Sequence, residues 1–143
     1  MATTTFLSNA TVNLTVGVTT YDLSDQCTGC TITSGYDALE ITAFGDTAHK
    51  FTKGLQNVEV SLTLFNSYGS NEVEAALYDA VNTGSCTLVI SPSGTTESSS
   101  NPEYTIASAM LSSFTPINST VGELSVSEAV FTGGTWARDI TPP

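Results

Sequence analysis

The sequence predicts a mainly β protein, an antiparallel β-sandwich or small barrel with a long hairpin and one flanking α-helix. Apolar and polar residues alternate with period two along most of the chain, the mark of strands with one buried face. That period gives way to 3/4 spacing between Val73 and Val81, as an amphipathic helix requires. Clusters of Gly, Ser, Asn and Pro separate the alternating runs, and these residues favour turns.

Val12, Leu14 and Val16 alternate with Thr11, Asn13 and Thr15, a half-buried strand. Residues 21–25, Tyr-Asp-Leu-Ser-Asp, read as a turn or a short edge strand. Residues 27–33 form a further candidate strand, ended by Ser34-Gly35. In residues 36–43, Leu39, Ile41 and Ala43 take one face while Ala38, Glu40 and Thr42 take the other. The return segment places Val58, Val60, Leu62 and Leu64 on one side and Asn57, Glu59, Ser61 and Thr63 on the other. Both arms thus carry an apolar face and a polar, acid-bearing face, and residues 41–55 between them are expected to form the hairpin tip.

Asn71 is the expected N-cap of the helix, with Glu74 at N3. Val73, Ala76, Leu77, Ala80 and Val81 make its apolar stripe, and Asn82-Thr83-Gly84 ends it. Such a stripe packs against a sheet and needs no cofactor to explain it. Residues 86–91 form a strand with Leu88 and Ile90 on one face, and residues 91–102 a polar loop that is mobile or touches a neighbour. Residues 103–114 alternate again, as do 121–131, where Leu124, Val126, Glu128 and Val130 share a side and Glu128 is out of character. Gly133-Gly134 then releases a tail in which Trp136 stands near Arg138. That tail reads either as an interface anchor or as a strand folded back on its own core. Residues 1–143 are taken as a single domain, with 133–143 as a C-terminal arm.

The chain's 143 residues suit one domain with a sizeable core. Its 3 Lys plus Arg against 14 Asp plus Glu give a net charge of −11, which repels phosphate backbones and excludes sequence-specific nucleic-acid binding. Only 12% of residues are charged, against about 25% in ordinary soluble domains. A surface hydrated mostly by hydroxyls suits a subunit that hides its exterior in an assembly, or a Thr-rich β-domain of ordinary kind. Residues 1–7 lack a basic, apolar leader and the chain closes on Thr141-Pro142-Pro143, so synthesis in a cytoplasm is expected. No run approaches the ~18 apolar residues of a membrane helix.

Catalytic chemistry has little material here. With 1 His, a Ser-His-Asp set lacks a Gly-x-Ser-x-Gly elbow to accompany it. Carboxylates are scattered singly, and no phosphate-binding glycine loop occurs. No enzyme activity and no cofactor are expected. Cys27-Thr28-Gly29-Cys30 has zinc-knuckle spacing, but a closed site needs four ligands and only Cys86 and His49 could complete it. Small thiols at a turn are the plainer reading, and no metal is expected. Asn9, Asn13 and Asn118 begin glycosylation-type triplets, ordinary coincidences in a Thr-rich chain.

Residues 41–55, Ile-Thr-Ala-Phe-Gly-Asp-Thr-Ala-His-Lys-Phe-Thr-Lys-Gly-Leu, hold two of the 3 basic residues and the only histidine. This motif between alternating strands, followed by one helix, resembles tail tube (major tail) proteins of long-tailed bacteriophages. The likeness continues through Asn101-Pro102-Glu103-Tyr104, Leu111-Ser112-Ser113-Phe114-Thr115-Pro116, Val121-Gly122-Glu123-Leu124 and Phe131-Thr132-Gly133-Gly134-Thr135-Trp136. Where the family often has two adjacent basic residues this chain has His49-Lys50, and its Cys pair is no part of the pattern.

The resemblance implies rings of six copies stacked into a hollow tube through which DNA passes without specific binding, with other tail proteins at the tube ends. The location implied is the virion tail, assembled in the host cytoplasm. The tip would reach the adjacent ring through Phe44, Gly45, Asp46, His49, Lys50, Phe51, Lys53, Gly54 and Leu55. The hairpin's polar face, with Glu40, Thr42, Glu59, Ser61 and Thr63, would line the lumen, and Trp136 and Arg138 would supply an arm contact. Two alternatives remain: a capsid decoration or head-associated protein, and a small carbohydrate-binding β-sandwich, which would need an exposed aromatic row where Tyr36, Tyr68, Tyr78 and Tyr104 are dispersed.

Overall fold

The computed structural model describes residues 9–142, so the N-terminal stretch read above as lacking a leader and Pro143 lie outside the described residues. In chain order the elements are β1 (Thr11–Val16), β2 (Thr19–Asp22), β3 (Cys27–Glu40), β4 (Phe51–Phe65), α1 (Val73–Thr83), β5 (Cys86–Ser91), β6 (Glu103–Phe114), β7 (Val126–Thr132) and β8 (Thr135–Asp139). The antiparallel path runs β2-β1-β5-β6-β7-β4-β3, with β8 also on β6.

Strand β6 belongs to two layers. Its first half pairs with β5 and β8, its second half with β7. Ser108 sits between them at φ 60, a left-handed backbone that turns the strand from one layer into the other. Between the layers lie Leu14, Leu88 and Ile106 from one side and Val60, Leu62, Leu64 and Phe131 from the other. Each is fully buried or nearly so, and such burial contributes about 1.5–3 kcal/mol per side chain. Helix α1 lays Val73, Ala76, Leu77 and Ala80 on β1 and β6. Tyr21 donates to Asp79 Oδ2 at 2.5 Å and ties β2 to the helix. The fold is the predicted mainly β one, with a long hairpin and one helix.

Several boundaries differ from expectation. Ser34-Gly35 does not end a strand, because β3 runs unbroken alongside β4 through both residues. The tip is shorter than 41–55, since β4 begins at Phe51. The N-cap position is Glu72, whose side chain makes no cap bond; Ser67, from the loop before it, accepts the Val73 N–H at 3.2 Å, while Asn71 stands at φ 64 outside the helix. Strand β7 starts at Val126 rather than Val121, and its core face is Ser127, Ala129 and Phe131. Glu128 therefore points outward with Val126 and Val130, which removes the oddity. Residues 135–139 are not a free arm. As β8 they pair with β6, and Trp136 packs on the core and stacks on Tyr104 with centroids 5.4 Å apart.

The polar loop over residues 92–102 is organised by one buried side chain. The Asn101 amide donates to the Thr95 carbonyl at 2.8 Å, and its oxygen accepts from the Ser93 N–H at 3.1 Å.

Candidate functional site: the hairpin and its outward face

The long hairpin is β3 on β4. Thr33 pairs with Glu59, Thr31 with Ser61 and Gly29 with Thr63, and directly opposed residues share a face. Glu59, Ser61 and Thr63 pair onward with Thr132, Val130 and Glu128 of β7, and β6 extends two of these rows with Met110 and Ser113. The result is a row Thr33-Glu59-Thr132-Met110, a row Thr31-Ser61-Val130-Ser113 and a row Gly29-Thr63-Glu128. This face of the sheet looks away from the core. It bears hydroxyls and carboxylates, and among the described residues no Lys, Arg or His lies on it.

Toward the tip the register shifts between Tyr36 and Ala38, where β4 carries one residue more than β3. Strand β3 itself stays regular there, so its odd residues continue the outward face and its even residues the opposite one. Asp37 lies outward, where the Asn57 amide donates to its carboxylate. Leu39 lies outward too, against Gly54, whose absent Cβ would stand 3.1 Å from the Leu39 side chain.

Glu40 falls on the other face, opposite Phe51. Expecting Glu40 and Thr42 to share a wall with Glu59, Ser61 and Thr63 is thus corrected: the bulge in β4 pairs Glu40 with Phe51, and strand parity separates it from Glu59. Asp37 and Glu128, which sequence reading missed, take that place instead. Continuing the parity from Thr33 through Gly35 would have found Asp37.

The tip, residues 41–50, is held by its own charges. Asp46 accepts from the Ala43 N–H at 2.7 Å through one carboxylate oxygen and contacts Lys50 Nζ at 2.7 Å through the other. These contacts, the Lys50 bond first, hold the Asp46 carboxyl below its usual pKa. His49 Nδ1 meets Glu40 Oε2 at 2.5 Å, and the Thr42 hydroxyl donates to the same oxygen at 3.0 Å. Lys53 Nζ lies 4.6 Å from the Tyr36 ring centre, a cation–π contact. Each cation the sequence placed at the tip therefore has a partner within the hairpin. Its large apolar residues stay open to solvent: Leu39, Ile41, Phe44, Phe51 and Leu55 are all exposed.

Arg138 is exposed on β8, while Trp136 is occupied by its own fold. Cys27 and Cys30 flank a bulge at the start of β3, and Cys86 is buried in β5, donating to the Ala109 carbonyl. Among the described residues no group of His, Cys, Asp and Glu is arranged to hold a metal.

Layers joined through a shared strand, one helix, and a hairpin running past the core define a β-sandwich built to extend beyond its own body. Solved structures with this fold include chains of phage-type tails and of contractile injection systems. A chain of the SPP1 tail tube superposes with a TM-score of 0.72 at 11% identity, covering 94% of this chain and 78% of that one. A chain of the native gene transfer agent virion gives 0.67 at 8% identity, covering 90% and 95%. A chain of the sheath-tube complex of an extracellular contractile injection system, in its extended state, gives 0.64 at 14%, covering 96% and 93%. At these identities the likeness is one of fold. The sequence matches no family model and no curated protein.

Proposed function

We propose that this chain is the repeating subunit of a phage-type tail tube. Six copies close into a ring, rings stack into a hollow conduit in the virion tail, and DNA passes through without specific binding. Other tail proteins close the tube ends, and assembly takes place in the host cytoplasm. The observation that carries the reading is the outward face of β3, β4, β7 and the end of β6, which bears hydroxyls, Asp37, Glu59 and Glu128 beside Met110 and Val130 and, among the described residues, no cation. A wall of this kind repels phosphates over a Debye length of about 8 Å at physiological salt, and hydroxyls hydrate it without gripping the polymer.

The fold shared with tube proteins supports the same reading. So does the outer edge of β3, which no strand among the described residues pairs and which a neighbouring copy's strand would cover on ring closure. Ring-to-ring contact falls to the tip, where exposed Phe44, Phe51 and Leu55 supply most of the attraction. Exposed ion pairs contribute only about 0–1 kcal/mol each.

Negative-stain electron microscopy of the concentrated protein, beside a Lys50→Glu/Lys53→Glu variant, tests this. Hollow striated tubes that the variant does not form support it. Discrete monomers or trimers that bind added capsid shells would overturn it in favour of a decoration protein.

A further inference from the structure

The tip is one pole of β4. At the opposite pole, Phe65 leads into Tyr68 and faces the start of β7. For 15 residues, the rise per residue puts the two poles about 50 Å apart.

At this far pole the chain forms a compact loop over residues 115–125. It is firmly held. Tyr68 donates to the Pro116 carbonyl at 2.7 Å, Ser127 to the Thr115 carbonyl at 2.9 Å, and the Asn66 N–H to the Ser125 carbonyl at 2.9 Å. Yet this ordered loop shows Ile117 at 80%, Val121 at 102% and Leu124 at 75% exposure, with Tyr68 beside it at 59%. Isolated apolar side chains on a surface need no explanation; several on one braced loop mark a contact.

We propose that this loop is the seat for the hairpin tip of a second copy in the adjacent ring, with Tyr68, Ile117, Val121 and Leu124 receiving Phe44 and Phe51. The inference rests on the tube reading and names the acceptor surface it leaves open. Two things select a second copy as the occupant. Apolar side chains crowd both poles of one strand, so head-to-tail contact buries both sets and leaves each new end identical to the last, the condition for axial growth. Charge agrees. Residues 64–74 and 115–128 carry Glu72, Glu74, Glu123 and Glu128 and no cation, whereas residues 40–55 balance Glu40 and Asp46 with Lys50 and Lys53. In a chain of net charge −11, the tip is where another copy approaches an acidic pole with least repulsion. A contact of few side chains suffices because every subunit of a ring repeats it.

The test uses a tip variant, Phe44→Asp/Phe51→Asp, and a seat variant, Val121→Asp/Leu124→Asp, each altering exposed residues only. Thermal unfolding of each confirms an intact fold, and sedimentation with negative stain measures stacking. The expected result is loss of stacking in either variant alone, with rings retained, and recovery of ring-to-ring junctions when the two are mixed, because the mixture holds one good tip and one good seat. A seat variant that lengthens like the unaltered protein overturns the inference while leaving the tube reading intact. A mixture that stays unstacked overturns the pairing of these two surfaces. Unaltered protein that forms neither rings nor tubes overturns the tube reading and the inference with it.

Discussion

Gly134 lies so close to Ala107 that a Cβ added to the glycine would collide with the Ala107 carbonyl oxygen and stand 3.0 Å from the Ala109 nitrogen. Here the β7–β8 turn passes from one layer to the other, against the bend in β6 at Ser108, where that strand makes the same crossing. Gly133 next to it has φ 84, but a methyl group added there would meet nothing within 4 Å. Gly133→Ala should therefore cost only the left-handed backbone penalty, about 1–2 kcal/mol. Gly134→Ala adds a backbone collision and should cost roughly 3 kcal/mol or more. Urea unfolding of the two variants measures the difference, and equal midpoints would contradict this explanation of the corner.

The helix start offers a second contrast. Ser67 accepts the Val73 N–H and its carbonyl accepts the Glu74 N–H, so Ser67→Ala should cost about 0.5–2 kcal/mol. Asn71 makes no such bond and holds φ 64, so Asn71→Gly should be neutral or stabilising. Thermal unfolding reads both, and a larger loss at Asn71 would restore the sequence-derived cap.

That contrast shows where sequence reading succeeds. Val58, Val60, Leu62 and Leu64 were legible because burial on one side imposes a strict period of two. Strand β3 was not, because both of its faces are largely open beyond Ile32, and Ser34-Gly35 has no apolar side chain of its own to mark its place opposite Val58 and Asn57. In β7 the first buried position is Ser127, satisfied by the Thr115 carbonyl, while apolar Leu124 is exposed in a loop. A polar core residue and an apolar surface one together shifted the inferred face by one residue, turning Glu128 inward on paper. The tip motif was legible as a unit, but its pairings were not, since Asp46 and Glu40 reach their partners through loop geometry.

At the tip, Asp46 titrates below its ordinary value of 3.8. A depressed folded pKa means that its ordering contribution is present above the unfolded pKa and is lost as pH falls through the folded one. The Ala43 amide resonance should therefore move in strong acid, and Asp46→Asn should weaken tip order and stacking already at neutral pH. An Ala43 resonance that stays fixed through the acid titration would contradict this.

Glu103 behaves in the opposite sense. Burial first, then a hydrogen bond and charge from Glu97, then the charge of Asp139, raise its pKa above 4.5. A raised folded value contributes stability below the unfolded pKa that is lost as pH rises through the folded one. Glu103→Gln should thus raise the melting temperature at neutral pH, with the gain shrinking as pH falls toward 4.5. A gain that persists unchanged in acid would point to a cause other than charge.

The central claim is that the outward face bearing Glu59 and Glu128 lines a bore. A helical cryo-EM reconstruction of tubes assembled from the purified protein tests it most directly. The expected result is a hollow tube with Glu59, Ser61, Thr63 and Glu128 projecting into the lumen and a neighbour's strand along the outer edge of β3. A tube in which these side chains face the outside, with α1 toward the bore, would contradict it.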